Sequence, residues 1–282
     1  MVRRMNARPP LRPARLALLA AALAVLAPVG PTATAPAAAK DASSIVSASV
    51  RPGWREAGGT HMAGLHLKLA DGWKTYWRAP GDGGFPPRFD WSGSQNLHSV
   101  TVHWPRPTAF DQQGLRSIGY LGEVVLPLEF TLNDPAAPAR LAGSVEIGVC
   151  ETVCIPVRLT LNAELPAQGG SDQAIRAALS DRPRSARSLG LTAIDCTATP
   201  ISDGVELSVR MTLPRLGADE VVVLEAGDSA IWVSSATTLR TGGTLTARAD
   251  MVDPSGAPFA LDRSRVRITV LGDGRAADHR GC

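Results

Sequence analysis

Two cysteines separated by only three residues, Cys150 and Cys154, lie in a stretch of chain whose flanks have the pattern of β-strands. In a straight strand, residues four positions apart are about 13 Å from each other, whereas a disulfide needs Cα atoms within about 7 Å. If the two cysteines are bonded, the chain must turn back through residues 151–153, between a strand ending at Val149 and a strand beginning at Ile155. Exposed disulfides at such tips are the more reducible ones. The spacing therefore predicts a β-hairpin whose tip is a candidate site of thiol–disulfide exchange.

Strand patterns broken by Gly and Pro fill most of the chain. They run from residue 44 to about 166, where positions 157–165 alternate strictly between apolar and polar side chains. Strand patterns resume after residue 190. Between them lies a linker, in which Ser171 is expected to cap a short helix that ends before Pro183. The sequence therefore predicts an all-β protein of two β-sandwich domains joined by a short helix.

Three local signals refine this prediction. The apolar strand 124–132 contains Pro127, which favours an edge strand or a bulge because proline cannot donate to a strand ladder. Asp203 with Gly204, and Gly242 with Gly243, are typical hairpin turns. The predicted divisions are a signal peptide at 1–39, a first domain at 40–166, a linker at 167–190 and a second domain at 191–282.

The first 39 residues have the features of a cleaved export signal. Five arginines precede the apolar run 16–29, which is followed by the small residues 37–39. The run is shorter than the roughly 20 residues that a membrane helix needs. Without this segment the chain carries 24 basic and 26 acidic residues, a net charge of −2. The mature chain is therefore expected to be exported and soluble, without a membrane span and without nucleic acid as a partner.

The four cysteines are expected to form two disulfides with different roles. Cys196 begins the second domain and Cys282 ends the chain, so a bond between them closes a separation of 86 residues. Loop-closure entropy assigns about 4–5 kcal/mol to such a bond, against about 2 kcal/mol for the small Cys150–Cys154 ring. We expect Cys196–Cys282 to be structural and Cys150–Cys154 to be the reactive pair, with a purely structural role for the small ring as the alternative.

The residues next to the reactive pair indicate how it would react. No Lys, Arg or His adjoins either cysteine, and Glu151 lies between them. A nearby carboxylate disfavours the thiolate form. The pair is therefore expected to be attacked by a partner's thiolate while oxidised, acting as a relay and not as an oxidase.

A copper site is the alternative function for the same cysteines. The pattern Cys-x-x-x-Cys-x-Pro resembles the copper motif of Sco-type assembly proteins, and soft thiolates suit Cu(I). Sco proteins carry that motif in a thioredoxin fold, whereas here an alternating strand follows it. The candidate additional ligands are His61, His66, His98, His103 and Met62.

Three motifs in order resemble a known family. They are GWKTYWRAPGDGG at 72–84, GYLGEVVLP at 119–127 and GVCETVCIP at 148–156. Together they resemble the N-terminal periplasmic domain of DsbD-type thiol:disulfide interchange proteins, most of all the ScsB-like branch, over about residues 45–166. The resemblance implies immunoglobulin-like β-sandwiches and reversible disulfide exchange with periplasmic thioredoxin-like proteins, without a cofactor or a bound metal.

The same resemblance implies roles for individual residues. Cys154 would form the mixed disulfide with the partner and Cys150 would resolve it. A cap loop at 118–122 would shield the disulfide, with Tyr120 as the shielding side chain. The chain ends where the family's membrane electron carrier would begin, so any reductase-like activity would draw electrons from a separate membrane protein or a soluble partner.

Overall fold

The computed structural model describes residues 42–112, 114–256 and 259–282. The predicted signal peptide at 1–39 lies outside the described residues. The described chain is built mostly of β-strands arranged as two β-sandwiches, as the alternation of apolar and polar residues predicts. The sandwiches are immunoglobulin-like, as the family resemblance implies. No helix within the described ranges is long and apolar enough to cross a membrane.

The first sandwich contains ten strands. In chain order they are β1 Val46–Arg55, β2 His61–Leu69, β3 Lys74–Gly81, β4 Arg88–Asp90, β5 Leu97–Val102, β6 Thr108–Gln112, β7 Leu115–Leu121, β8 Glu123–Leu132, β9 Ala139–Cys150 and β10 Cys154–Leu165. One sheet has the order β1-β2-β8-β5. The other has the order β10-β9-β3-β7-β6, with β4 also paired to β9. A short 3₁₀ turn at Ala42–Ser44 precedes β1.

The core of the first sandwich follows from period-two alternation. In β10, Val157, Leu161 and Leu165 are buried while the residues between them are at least partly exposed. Strand β2 differs, because it is buried on both faces. A helix covers its outer face: a methyl group added at Gly64 would lie 2.9 Å from Ile175 Cγ1, and Ile175 is fully buried.

Strand β8 corrects the edge-strand prediction made from Pro127. It lies between β2 and β5 and is therefore a central strand. Pro127 pairs with Gly64 on one side, while the pairing with β5 ends at Leu128 opposite Val102. Just beyond that end, the Pro127 carbonyl accepts from the His103 amide. A central strand tolerates proline here because the neighbouring ladder has already ended.

The linker contains the predicted helix, α1, at Gln173–Ser180. Its N-cap is Asp172 and not Ser171 as predicted. The Asp172 carboxylate accepts from the amides of Ala174 and Ile175, and it also pairs with Arg51 on β1 at 2.8 Å. Ser171 instead accepts from the Arg176 guanidinium. A carboxylate can satisfy the helix end and the first sandwich together, which a serine hydroxyl cannot do as well.

The second sandwich follows α1. Its strands are β11 Arg184–Ser185, β12 Ala193–Pro200, β13 Gly204–Thr212, β14 Val221–Glu225, β15 Trp232–Val233, β16 Thr237–Thr241, β17 Thr244–Val252, β18 Arg267–Gly272 and β19 Arg275–Arg280. One sheet has the order β11-β19-β18-β14, and the other has β12-β13-β17-β15 with β16 also paired to β17. A 3₁₀ turn at Arg187–Leu189 lies between β11 and β12.

Both predicted hairpin turns of the second sandwich are present. Gly204 begins β13 directly after the turn that follows β12, and Gly242 and Gly243 join β16 to β17. Gly242 has a φ of +58°, a left-handed conformation that favours glycine. Cys196 on β12 is bonded to Cys282, with their Cα atoms 5.6 Å apart. The bond ties the end of the chain to the first strand of the second sandwich's larger sheet.

The two sandwiches are joined through strand β3. The Arg78 guanidinium donates two hydrogen bonds to the Glu225 carboxylate of β14, at 3.0 and 2.9 Å, and stacks over the Trp77 ring at 3.7 Å. Both charged side chains are largely buried, at 14% and 21% exposed. Val223 and Leu271 of the second sandwich also belong to the apolar cluster of the first. The junction therefore combines apolar contacts with a bidentate ion pair.

Replacing Cys196 and Cys282 together by alanine is expected to lower the free energy of unfolding by about 4–5 kcal/mol, because the unfolded chain regains the entropy of an open loop. Denaturant unfolding followed by circular dichroism measures this loss. The matched control is the Cys150→Ala, Cys154→Ala double variant, which opens a small ring and should lose about 2 kcal/mol. A larger loss in the control than in the Cys196, Cys282 variant would contradict the assignment of the long-range bond as the structural one.

Candidate redox site

The hairpin predicted from the cysteine spacing joins β9 to β10. Cys150 ends β9 and Cys154 begins β10, and the two pair directly across the ladder with their Cα atoms 4.1 Å apart and their sulfurs bonded. Residues 151–153 form the turn. Cys150 is fully buried, while Cys154 is partly exposed. One sulfur-bearing residue of the pair is therefore accessible from solvent and its bonded neighbour is not.

Strand register determines which face of the sheet carries the disulfide. Thr75 on β3 pairs with Val149 on one side and with Tyr120 on the other, and both partners belong to the apolar core. Directly opposed residues in an antiparallel ladder point to the same face, and successive residues point to opposite faces. Cys150 therefore lies on the outer face of this sheet, and Tyr76, which follows Thr75, lies on that same face.

The Tyr76 hydroxyl lies against both sulfurs of the disulfide. Its oxygen is 2.7 Å from Cys150 Sγ and 3.1 Å from Cys154 Sγ, and it donates a hydrogen bond to the Gly83 carbonyl at 3.1 Å. The ring is buried at 2% exposed and is held between two glycines. A methyl group at Gly148 would lie 3.0 Å from the ring carbons, and one at Gly84 would lie 2.6 Å from them. Tyr76 can fill this space only because both neighbours are glycine.

Burial also determines the protonation of this phenol. Desolvation raises the pKa of Tyr76 above its usual value near 10, so the hydroxyl keeps its proton at neutral pH. A disulfide sulfur is a weak acceptor, whereas a thiolate is a charged one and receives a stronger hydrogen bond. When the disulfide opens, the Tyr76 proton can therefore turn from the Gly83 carbonyl to the newly formed Cys150 thiolate.

The structure corrects the prediction that Tyr120 shields the disulfide from a cap loop at 118–122. These residues belong to β7 and the turn that follows it, and Tyr120 points into the core with its hydroxyl donating to the Pro105 carbonyl at 2.9 Å. Burial raises the pKa of Tyr120 well above its usual value. The two tyrosines of the chain therefore lie on opposite faces of one sheet, and Tyr76 is the one that contacts the cysteines.

The cover over the site comes instead from the connection between β3 and β4. We call residues 82–87 the covering segment. Its Gly83 accepts from Tyr76, its Gly84 packs on the Tyr76 ring, and its Phe85 lies beside Gly148. Residues 82–84 of this segment end the first family motif, but the sequence does not indicate that the segment folds back over the β9–β10 hairpin. Knowing that β3 pairs with β9 would have identified both Tyr76 and the segment.

The cation nearest to Cys150 in the ladder is directed away from it. Lys74 pairs with Cys150 across strands, which sequence proximity did not reveal. Its ammonium lies over the Phe110 ring at 5.0 Å, on β6, two strands beyond β3 on the side opposite to β9. The Glu151 side chain lies near Gly72. Among the described residues, the phenol of Tyr76 is thus the polar group that contacts the sulfurs, and the lysine charge is held elsewhere.

The candidate copper ligands lie apart from the cysteines. His61, His66 and Met62 are on β2, and His98 is on β5, both strands of the opposite sheet. His66 and His103 contact the carboxylates of Glu123 and Glu129. Within the described ranges, no group of three or more His, Cys, Asp or Glu side chains has the arrangement of a metal site. The structure therefore does not bring the proposed histidines to the thiols.

Replacing Tyr76 by phenylalanine is expected to raise the pKa of the Cys150 thiol in the reduced protein by about one unit. The variant keeps the ring between Gly84 and Gly148 but loses a hydrogen bond to the thiolate, which is worth about 1–1.5 kcal/mol. Thiolate absorbance during a pH titration measures the change. Tyr120→Phe is the matched control, because its hydroxyl lies on the other face, and it should leave the thiol pKa unchanged. Equal shifts in the two variants would contradict the placement of Tyr76.

Comparison with known proteins finds a family match for part of the chain and a structural match for most of it. The family model for the N-terminal domain of the thiol:disulfide interchange protein DsbD matches residues 45–165. The crystal structure of the N-terminal periplasmic domain of ScsB from Proteus mirabilis superposes with a TM-score of 0.62 at 25% identity, covering 83% of this chain and 89% of that one. This coverage extends into the second sandwich.

The secreted serine protease VesC from Vibrio cholerae aligns with a TM-score of 0.19 and 11% identity, over 82% of this chain and 51% of that chain, and a score this low indicates no shared fold. Comparison with curated proteins found no match.

Proposed function

We propose that this protein relays electrons through the Cys150–Cys154 pair to or from thioredoxin-like partners. The match of residues 45–165 to the family model for the N-terminal domain of the thiol:disulfide interchange protein DsbD supports this proposal. One observation carries the proposal. The two bonded cysteines lie at a hairpin tip, with Cys154 partly exposed and Cys150 buried behind Tyr76. A disulfide with one accessible end can be opened by a partner in only one orientation.

The exchange begins when a partner thiolate attacks Cys154 Sγ. A new bond forms between the partner's sulfur and Cys154, the Cys150–Cys154 bond breaks, and its electron pair leaves on Cys150 as a thiolate. The Tyr76 hydroxyl, 2.7 Å away, donates to that thiolate. A second partner thiolate then attacks the partner's own sulfur and releases the Cys154 thiolate. The partner becomes the disulfide, and its two electrons now reside on Cys150 and Cys154.

The same steps in reverse reduce an oxidised partner. Cys154 attacks the partner's disulfide, and the Cys150 thiolate then attacks Cys154 to restore the internal bond and release the reduced partner. Cys154 is the sulfur that meets the partner in both directions, and Cys150 is the resolving one.

Exposed apolar side chains around the hairpin support a protein partner over a small thiol. Val153 in the turn is 69% exposed, Phe85 in the covering segment 58%, and Leu121 at the end of β7 54%. Exposed apolar groups near a reactive site favour docking of another protein surface. Val153 adjoins Cys154 in the chain, Phe85 lies beside Gly148, and Leu121 lies across Lys74 from Cys150 in the ladder.

We place this exchange in the periplasm. The basic residues and the apolar run within residues 1–39 support export. The ScsB domain that this chain resembles is a periplasmic domain. Both disulfides of the chain suit an oxidising compartment. A separate membrane electron-transfer protein or a soluble thiol protein would complete the relay.

A Cys150→Ala variant is expected to form a stable mixed disulfide with a thioredoxin that keeps one active-site cysteine, activated as its thionitrobenzoate adduct. Cys154 attacks, and without Cys150 no internal thiolate can resolve the product. Release of thionitrobenzoate measures the rate. Cys154→Ala is the matched control and should react at least about ten-fold more slowly, because its remaining thiol is buried. Equal rates would contradict the assignment of Cys154 as the attacking sulfur.

The reduction potential of the Cys150–Cys154 pair tests the function itself. A pair that exchanges electrons with thioredoxin-like proteins is expected to have a potential above about −300 mV, within reach of such partners. Equilibration with glutathione or dithiothreitol buffers, read out by thiol alkylation, gives the value, with Cys196–Cys282 in the same protein as the internal control. A potential well below about −300 mV would assign the small ring a structural role instead.

A further inference from the structure

The covering segment is attached to the second sandwich. The Asp82 carboxylate accepts a hydrogen bond from the Ser235 amide at 2.6 Å, and the Asp82 amide lies 3.4 Å from Ser235 Oγ. Between described residues, the hydrogen bonds that leave residues 82–87 for the second sandwich all end on Ser235. The contact joins positions 153 residues apart in the chain.

Ser235 is itself held firmly in the second sandwich. It follows β15, and its neighbour Ser234 exchanges hydrogen bonds with Asp250 of β17, from the Ser234 amide to the Asp250 carbonyl and from the Asp250 amide to the Ser234 hydroxyl, both at 2.9 Å. Ala236 on the other side is buried. The amide that binds Asp82 therefore belongs to a strand-anchored stretch, and it can fix the position of a less constrained segment.

The second sandwich is fixed in turn to the strand that carries Tyr76. Arg78 lies two residues after Tyr76 on β3, and its bidentate bond to Glu225 attaches β3 to β14. Hydrogen bonds therefore hold the covering segment from two directions. Its Gly83 carbonyl accepts from Tyr76, and its Asp82 carboxylate accepts from the second sandwich, which Arg78 attaches to β3.

An open pocket of about 740 Å³ adjoins the covering segment, lined on one side by Gly81, Gly84 and Pro86 and on the other by residues 221–236. Close packing at this place would hold the segment against the second sandwich by contact alone. Because the pocket leaves space there, the hydrogen bonds between Asp82 and Ser235 restrain the segment on the side of the second sandwich.

We propose that the second sandwich positions the covering segment over the disulfide through the Asp82–Ser235 bond, and that this bond limits the access of an attacking thiolate to Cys154. Asp82 and Ser235 are positioning residues that act through Gly83 and Tyr76. The inference rests on the proposed function for its purpose, but the geometry of the bond and of the cover does not depend on it.

Asp82→Ala is the variant that tests this proposal. Loss of one hydrogen bond to an exposed carboxylate is expected to open the segment roughly five-fold more often. Reduction of Cys150–Cys154 by a water-soluble phosphine should accelerate by that factor, and the amides of 82–85 should exchange hydrogen for deuterium faster by a similar factor. Neither measurement needs a protein partner, so failure of the relay function would leave both results interpretable.

Three further variants make the test specific. Asp82→Asn keeps an oxygen acceptor and should restore most of the wild-type rates. Ser235→Ala keeps the amide donor and should also resemble wild type. Asp90→Ala removes an exposed carboxylate that caps the Ser92 amide at 3.0 Å, without contact to the second sandwich, and is the matched control.

The outcomes separate the alternatives. Faster reduction and faster exchange in Asp82→Ala, restored in Asp82→Asn and absent in Asp90→Ala, support the positioning role. Rates in Asp82→Ala within two-fold of Asp90→Ala would overturn it. Equal acceleration in Asp82→Ala and Asp82→Asn would also overturn it, because the carboxylate's role as a hydrogen-bond acceptor would then not matter. If the reduction and exchange rates follow the expected pattern but no mixed disulfide forms with a thioredoxin, the result counts against the relay function alone.

Discussion

The direct pairing of Cys150 with Cys154 across the β9–β10 ladder is the constraint from which the site follows. The pair closes a three-residue turn, and the register continues without interruption to Leu165 opposite Ala139. A slip of one residue would turn Cys150 into the core and Val149 outward, since side chains alternate strictly along a strand. The disulfide and the apolar core therefore support the same register, and the outer-face position of the sulfurs is a consequence of both.

The outer face of the sheet that carries the disulfide would be exposed to water without Tyr76 of β3 and the covering segment that follows β3. The same strand sends Thr75 and Trp77 into the core and Tyr76 to the outer face, and its Arg78 reaches Glu225 of the second sandwich. Tyr76 contacts the sulfurs, and Arg78, two residues later, holds the second sandwich. The chemistry of the site and the attachment of the second sandwich thus depend on residues two positions apart in one strand.

Sequence patterns predicted the features that depend on short stretches of chain. The hairpin follows from the reach of a disulfide, the Gly242–Gly243 turn follows from its residues, and the helix follows from its periodicity. Features that depend on pairing between distant strands were missed or misjudged. Tyr76 and Tyr120 both fall in family motifs, and only the register of β3 with β7 and β9 shows which of them faces the cysteines. Pro127 gave a wrong position for β8, because the early end of β5 is not visible in the sequence of β8.

The two disulfides differ in how much of the chain each one constrains. Cys196 is buried and its bond joins segments 86 residues apart, so opening it would release a long loop. Cys150–Cys154 constrains almost no chain, and hydrogen bonds of the surrounding ladder would keep the hairpin folded after reduction. A bond that can open without unfolding its surroundings is suited to repeated exchange. Its reactivity then depends on what lies over it, and in this fold the cover is a short segment that Tyr76 holds on one side and the second sandwich holds on the other.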